Sequence, residues 1–285
     1  MKIIIYLTIA IFLLFGSLSY SQSQWEQIRT EHFIVYFYTD NQEFAESVSV
    51  AAEEYYDTVA VELGYVRYSN FWKWDKRVKI YIYPDHNAYL LASHQQSWSH
   101  GMANYTQKYI MSYVWGHDFL DRLLVHEITH LIFRDFVGFK GEVPLWLDEG
   151  IAQWGEKNAR VLRTDMVKKL AISKRLLSLD AMMQIDVRSV QNDNKVKVTG
   201  LYEDRKNRLI LQLRGDELVN TYYLQAFSLV SFLMNRFGAE DFIVFSRQLR
   251  DGKTITEALQ FAYPTQIRSI DQLEGKWREH ILTQD

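Results

Sequence analysis

The sequence predicts an α+β fold, in which a small mixed α/β N-terminal subdomain with a sheet precedes a mostly helical C-terminal subdomain. Two strand-like runs occur early in the chain: the β-branched and aromatic segment His32–Thr39 and the alternating segment Arg77–Tyr83. From Asp118 onward, apolar residues recur at helical spacing. Hydrophobic residues make up 48% of the 285 residues, as in a folded globular chain with a packed core.

The N-terminus is typical of a secretory signal peptide over residues 1–21. Lys2 supplies a positive charge, Ile3–Phe15 is apolar, and Ser19 and Ser21 occupy plausible −3 and −1 cleavage positions. The apolar run is shorter than the ~20 residues of a membrane-spanning helix. We therefore expect export without a stable membrane span after cleavage, with an uncleaved anchor as the alternative. Because the chain has no cysteine, a periplasmic or secreted protein of a bacterial envelope is the expected location.

The predicted N-terminal subdomain, residues 22–158, contains strands and helices in alternation. One helix carries apolar residues at helical spacing and stops before Gly64, and one strand ends at Pro84. In chain order we predict strand His32–Thr39, helix Glu43–Leu63, strand Arg77–Tyr83, helix His86–Ser93 and strand Lys108–Trp115.

The second half of the chain contains the helices around the predicted site and the C-terminal subdomain, residues 159–285. Asp118 is the expected N-cap of a helix that runs to Val137. Lys195–Leu213 is predicted to form two short strands around the charged turn Glu203–Asn207. The other predicted helices are Leu145–Gly155, Arg160–Arg175, Glu217–Phe237, Ala239–Leu249, Thr254–Ala262 and Ser269–Leu282.

Composition and missing motifs exclude several classes of function. The formal net charge is −3, with a pI near 6.3, so there is no electrostatic reason to expect a nucleic-acid partner or a polybasic membrane patch. The absence of cysteine excludes disulfides, Fe–S clusters and a cysteine nucleophile. No G-x-S-x-G, P-loop or Rossmann glycine pattern occurs. Any metal must therefore be bound by histidines and carboxylates.

His126-Glu127-Ile128-Thr129-His130 is an H-E-x-x-H sequence within a predicted helix. Residues four apart lie on one face of a helix, so His126 and His130 can bind the same ion. Glu127 can then hold and deprotonate a water molecule, as in the zinc metalloprotease motif. Apolar flanks predict that the helix is buried, and two histidines and a glutamate require partners there. A chance occurrence of the pattern is the alternative.

A catalytic zinc site needs a third protein ligand and an open fourth position. A metzincin would have Gly and His where this chain has Phe133 and Phe136, which excludes that class. Eighteen residues (131–148) separate His130 from Glu149 within Trp146–Ala152, W-L-D-E-G-I-A. This combination resembles the aminopeptidase-N and peptidase MA-like branches of the gluzincins.

The resemblance implies a thermolysin-like fold with one catalytic Zn²⁺ held by His126, His130 and Glu149. The thermolysin branch would have Asp four residues after the third ligand, where this chain has Gln153. A second similar stretch, Tyr223–Leu233, matches a family helix whose first tyrosine donates a hydrogen bond to the oxyanion. By that match Tyr223 is a candidate catalytic residue together with Glu127, with a core aromatic role as the alternative.

A third stretch, Gly101-Met102-Ala103-Asn104, resembles the G-x-M-E-N segment of aminopeptidases, which lies on an edge strand that pairs with the substrate. The resemblance implies that these four residues bind substrate by β-augmentation; the alternative is an ordinary loop. No Glu occurs here to hold a free amino terminus, which favours an endopeptidase over an aminopeptidase.

The expected function is therefore that of an exported zinc-dependent metallopeptidase acting on peptides or proteins. Two alternatives remain open: a non-catalytic, zinc-binding envelope module and a zinc hydrolase of non-peptide amides or similar substrates. A second metal site is not expected, because the spacing of the remaining histidines fits no ligand pattern, and loop-exposed positions are predicted for His86, His94, His100 and His117.

Overall fold

The computed structural model describes residues 25–65, 72–116, 118–201 and 209–283. The predicted signal peptide, His117 and the charged turn Glu203–Asn207 lie outside the described residues. Within them the fold is α+β, as the sequence predicts, with a five-stranded sheet followed mainly by helices.

The sheet lies in the N-terminal half and has the strand order β1-β2-β3-β5-β4. The central pairs β2–β3 and β3–β5 are parallel, and both edge pairs are antiparallel. The strands and the two helices among them are β1 (Trp25–Arg29), β2 (Phe33–Tyr38), α1 (Gln42–Glu62), β3 (Val78–Tyr83), α2 (His86–Ser93), β4 (Gly101–Asn104) and β5 (Tyr109–Tyr113).

The central strands are buried because apolar residues face their neighbours across the sheet. Ile80 of β3 pairs with Val35 of β2 on one side and with Ile110 of β5 on the other, and all three are fully buried. The parallel connection from β2 to β3 contains α1, which packs on β2. This arrangement leaves β4 as the last strand of the sheet, next to the helices of the second half.

The remaining elements are mostly helical and pack around one another. A π-helical turn at Phe119–Leu124 leads directly into α3, and the long helix α7 bends at Gly238, where φ is +86°. The elements are α3 (Val125–Val137), α4 (Leu145–Gly155), α5 (Arg160–Ile172), α6 (Leu179–Gln184), β6 (Val196–Thr199), β7 (Ile210–Leu213), α7 (Gly215–Arg250), α8 (Ile255–Ala262) and α9 (Ile270–Thr283).

α4 is the helix around which the second half is organised, because it packs on both α3 and α7. Glycines allow both contacts. A Cβ on Gly155 would lie 2.2 Å from Thr129 Oγ1 of α3, and a Cβ on Gly150 would lie 2.3 Å from the Ala226 carbonyl oxygen of α7. Trp146, Leu147 and Ile151 of α4 are buried in the apolar core.

Most predicted elements are found within a few residues of their expected bounds, and β6 and β7 pair antiparallel as expected. The predicted N-cap is wrong: Asp118 already has helical φ/ψ, and its side chain accepts no capping hydrogen bond, because the helix begins with π-helical turns. β1 and α6 were not predicted. The predicted subdomain boundary between residues 158 and 159 stays a prediction. The main apolar core contains residues from both predicted subdomains, from Phe33 to Ile281.

None of the helices in the described part of the chain is long and apolar enough to cross a membrane.

We expect Gly150→Ala to lower the free energy of unfolding by about 1–3 kcal/mol, because the added methyl group would overlap the α7 backbone. Gly275→Ala in α9 is the matched control, since no atom lies within 4 Å of its Cβ position. The control should raise the free energy of unfolding by about 0.5–1 kcal/mol. Urea unfolding of both variants in the presence of a chelator measures the difference, and equal effects would contradict the packing described here.

Candidate metal centre

The three predicted ligands come together at the contact between α3 and α4. His126 and His130 lie one turn apart on α3, and their Nε2 atoms are 3.2 Å apart. Glu149 of α4 places Oε2 3.6 Å from the Nε2 atom of each histidine. Among the described residues, these three form the one group whose ligand atoms could hold a metal ion, all within 4.8 Å of one another.

This triangle fits a zinc ion. Tetrahedral ligands at Zn–N and Zn–O distances of about 2.0–2.1 Å are about 3.3–3.4 Å apart. The observed separations of 3.2, 3.6 and 3.6 Å lie close to this value. Two imidazoles and a carboxylate are also a ligand set of catalytic zinc sites. The residues present therefore fit the ion that the sequence predicts.

Each imidazole is oriented by a carboxylate on its other ring nitrogen. His126 Nδ1 lies 2.9 Å from Glu156 Oε1, and His130 Nδ1 lies 3.1 Å from Asp148 Oδ1. With Nδ1–H donating to the carboxylate, the lone pair of Nε2 points into the ligand triangle. Such carboxylate–histidine pairs fix the tautomer and the ring orientation of metal-binding histidines.

Both orienting carboxylates are held in turn by arginines. Arg134 donates to Asp148 Oδ2 through Nη2 at 2.7 Å and Nε at 3.2 Å. Arg163 donates to Glu156 Oε2 through Nη2 at 2.6 Å. Each carboxylate thus uses one oxygen for a histidine and the other for an arginine, so its orientation is fixed from two sides.

The carboxylates and imidazoles shift one another's pKa values strongly. Burial alone would lower the pKa of His126, but Glu149 and Glu156 outweigh it and raise this pKa to about 9. Burial would raise the pKa of Glu149, yet contacts with His126 and His130 hold it well below its usual value. Glu149 is therefore a carboxylate at neutral pH, which is the form that binds a metal.

Glu127 is buried beside the ligands without belonging to the ligand group. Burial raises the pKa of its carboxyl group, while the charges of His126 and His130 act in the opposite direction. A raised pKa suits a group that accepts and returns a proton near neutral pH. Glu127 also lines an open cleft of about 410 Å³ together with His126, Gly101 and Leu123.

Tyr223 lies on α7, within the electrostatic influence of Glu149 and Arg188. Burial raises the pKa of its phenol, and so does the negative charge of Glu149, while Arg188 lowers it. The adjacent Tyr222 is fully buried and donates to the Met182 carbonyl oxygen at 3.2 Å. The charge of Glu149 acts on both phenols, but the hydroxyl group of Tyr222 is already bonded within the core.

The segment Gly101–Asn104 forms strand β4 at the edge of the sheet, not a loop. Gly101 lies against the helix that carries the ligands, since a Cβ there would be 2.5 Å from Leu123 Cδ2. Met102 and Ala103 pack partly into apolar clusters. The Asn104 side chain accepts a hydrogen bond from Gln107 N at 2.8 Å and thereby closes the turn to β5. Of these four residues, Gly101 is the one that lines the cleft.

Several residues of the centre were not identified by the sequence motifs. Asp148 directly precedes the third ligand, and Glu156 follows it by seven residues, beyond the end of α4. Glu156 orients His126. The resemblance to the thermolysin branch had instead singled out position 153, where that branch has Asp and this chain has Gln153. Two arginines, Arg163 and Arg188, come from elements whose packing the sequence does not indicate. The only sequence signal was Asp148, which lies within the W-L-D-E-G-I-A motif.

The remaining histidines have other surroundings. His86 begins α2 and is partly buried, with Nε2 2.8 Å from the Ser99 carbonyl oxygen, so its predicted loop position is wrong. His94 and His100 are exposed as expected, and His100 Nδ1 lies 2.7 Å from the Tyr113 hydroxyl group. In the described part of the chain, none of them joins a second group of possible metal ligands.

Comparison with known families agrees with this geometry. Residues 69–198 match the model of a family described as the Peptidase MA superfamily. The matched range contains His126, His130 and Glu149, and ends before Tyr223. No curated protein matches the chain. The family match supports a peptidase MA-like, gluzincin-type domain and points to a peptidase-type hydrolase whose His-His-Glu cluster is compatible with zinc binding.

We expect Asp148→Asn and Glu156→Gln each to weaken zinc binding about 10- to 100-fold, because each removes the negative charge that orients one histidine. Asp165→Asn, at an exposed position of α5, is the matched control and should bind zinc like the wild type. Competition with a chelating dye measures the dissociation constants. Wild-type affinity in both centre variants would show that the carboxylate–histidine contacts do not support the metal.

Proposed function

We propose that the chain is an exported zinc-dependent metallopeptidase that hydrolyses peptide bonds within peptides or proteins. The observation that carries this proposal is the triangle of His126, His130 and Glu149, with Glu127 beside it at an open cleft. The family match supports the peptidase class. The signal-peptide pattern of residues 1–21 is the support for export, to the periplasm or outside the cell.

The proposed chemistry assigns the proton transfers to Glu127. A bound zinc ion would supply the Lewis acidity that polarises the substrate carbonyl and acidifies water. Glu127 accepts a proton from the attacking water molecule and then delivers it to the leaving amine nitrogen. The raised pKa of Glu127, caused mainly by burial, makes both steps accessible near neutral pH.

Tyr223 is proposed to act on the carbonyl oxygen. Its phenol lies close to Glu149, on α7, where it can donate a hydrogen bond as negative charge develops on that oxygen. Its raised pKa keeps the phenol protonated at neutral pH, which a hydrogen-bond donor requires.

The substrate backbone is proposed to add to the edge strand β4, at Gly101–Asn104, and to extend into the cleft. The main chain of an edge strand offers hydrogen-bonding groups to any extended peptide, independent of its sequence. β4 contains no carboxylate that could bind a free amino terminus. Cleavage within chains is therefore favoured over removal of N-terminal residues.

Cleavage profiling of a mixed peptide library by mass spectrometry tests the proposal. The chain from residue 22 is incubated with and without a zinc chelator, and the cut positions distinguish internal from N-terminal cleavage. Cuts that disappear with the chelator and return with zinc support the peptidase. A folded, zinc-loaded protein that makes no cuts would instead favour a binding module, and hydrolysis of non-peptide amides alone would favour the other alternative.

We expect Glu127→Gln to lower kcat by about 10²- to 10⁴-fold, because glutamine cannot accept the proton. Zinc content should stay at the wild-type level, since Glu127 lies outside the ligand group. Glu142→Gln, at an exposed position before α4, is the matched control with the same chemical change and wild-type turnover. Metal analysis and peptide cleavage are measured together, and a Glu127→Gln variant that cleaves like the wild type would remove Glu127 from the mechanism.

We expect Tyr223→Phe to lower kcat by about 10²- to 10³-fold, as for loss of one oxyanion donor, with unchanged zinc affinity. Tyr222→Phe is the control, because its hydroxyl group bonds a core carbonyl instead. The control should lose about 1 kcal/mol of stability and keep its kcat. Steady-state kinetics decide between the two residues, and a larger loss of kcat in Tyr222→Phe would reverse the assignment.

A further inference from the structure

Arg188 contacts the third predicted ligand, Glu149, although no sequence motif includes it. It lies between α6 and β6, and its Nη2 atom contacts Glu149 Oε1. The same guanidinium group lowers the pKa of the Tyr223 phenol. Glu149 is 6% exposed and Arg188 is 60% exposed, so the guanidinium group covers the buried carboxylate from the solvent side.

Because of the contact with Arg188, the two oxygens of Glu149 have different partners. Oε2 lies 3.6 Å from both histidine Nε2 atoms, whereas Oε1 is occupied by the guanidinium group. A carboxylate can bind a cation with one oxygen or with both. Because Oε1 contacts Arg188, Glu149 can offer only Oε2 to a metal ion. One further position at the ion is then left for water and substrate, as a catalytic zinc site requires.

We infer that Arg188 is a positioning residue that holds Glu149 to one-oxygen coordination of the metal ion. This inference rests on the proposed function for the zinc ion. Arg188 acts through Glu149, the ligand that it contacts.

The first test uses the metal centre without any peptide. Arg188→Met keeps the length of the side chain and removes its charge and donors, and Arg188→Lys keeps the charge. Arg214→Met is the matched control, because Arg214 is an exposed arginine paired with Asp216, another carboxylate. Zinc affinity is measured by chelator competition, and coordination by the visible absorption of the cobalt-substituted protein.

We expect Arg188→Met to bind zinc about 10- to 100-fold more weakly. The cobalt absorption should also become weaker, because the freed Oε1 atom raises the coordination number. Arg188→Lys should recover part of the affinity, and Arg214→Met should match the wild type in both measurements. Wild-type affinity and spectrum in Arg188→Met would overturn the role assigned toward Glu149.

The second test uses the peptidase assay. Arg188→Met should lower kcat more than it changes KM, because Arg188 contacts a predicted metal ligand. An unchanged kcat in zinc-loaded Arg188→Met would overturn the role assigned to Arg188. Absence of cleavage by the wild type counts against the proposed peptidase, whereas the metal measurements decide the role of Arg188 toward Glu149 independently.

Discussion

The packing of α4 between α3 and α7 sets the geometry of the metal centre. Gly155 allows α4 to approach Thr129, which lies between the two histidines of α3, and Gly150 allows it to approach the backbone at Ala226 of α7. Glu149 lies next to Gly150, so its distance to the imidazoles depends on both contacts. A side chain at either glycine would separate helices that carry different parts of the same centre. Close backbone approach is thus the condition for a 3.6 Å carboxylate–imidazole separation.

Three carboxylates around the candidate metal centre have the same kinds of partners. Three carboxylates, those of Asp148, Glu149 and Glu156, each direct one oxygen toward an imidazole and the other toward an arginine. The arginines come from α3, α5 and the segment after α6, so separate elements provide the same kind of contact to each carboxylate. Buried carboxylates would be costly without partners, and here each has at least one histidine and one arginine as partners.

The sequence was sufficient to predict the α+β class and the three residues that form the possible metal-binding group. The physical reasons for the two predictions differ. Helical spacing places His126 and His130 on one face whatever surrounds them, and the motif around Glu149 fixes a second helix. Strand β3 alternates between buried and exposed residues, so its bounds could be predicted closely. Such local patterns depend on neighbours in the chain, which the sequence displays directly.

The residues that sequence reasoning missed depend on tertiary contacts instead. Glu156 reaches His126 only because the chain turns after α4, and Arg188 lies 39 residues from its partner Glu149. Asp118 has the chemistry of an N-cap, but the π-helical turns that follow it gave that position helical geometry. β1 and α6 are short, and packing rather than strong periodicity stabilises them. None of these features has a signature at a fixed spacing.

The arginine partners of the three carboxylates also affect whether the chain can fold before a metal ion binds. Small zinc domains fold only when the metal binds, because their ligands are brought together by nothing else. Here the charges of Asp148, Glu149 and Glu156 are balanced by guanidinium groups of the same chain, and glycine-mediated helix packing supplies the geometry. The polypeptide can therefore fold before any metal ion binds. Folding of this kind does not depend on how much metal is available while the chain folds.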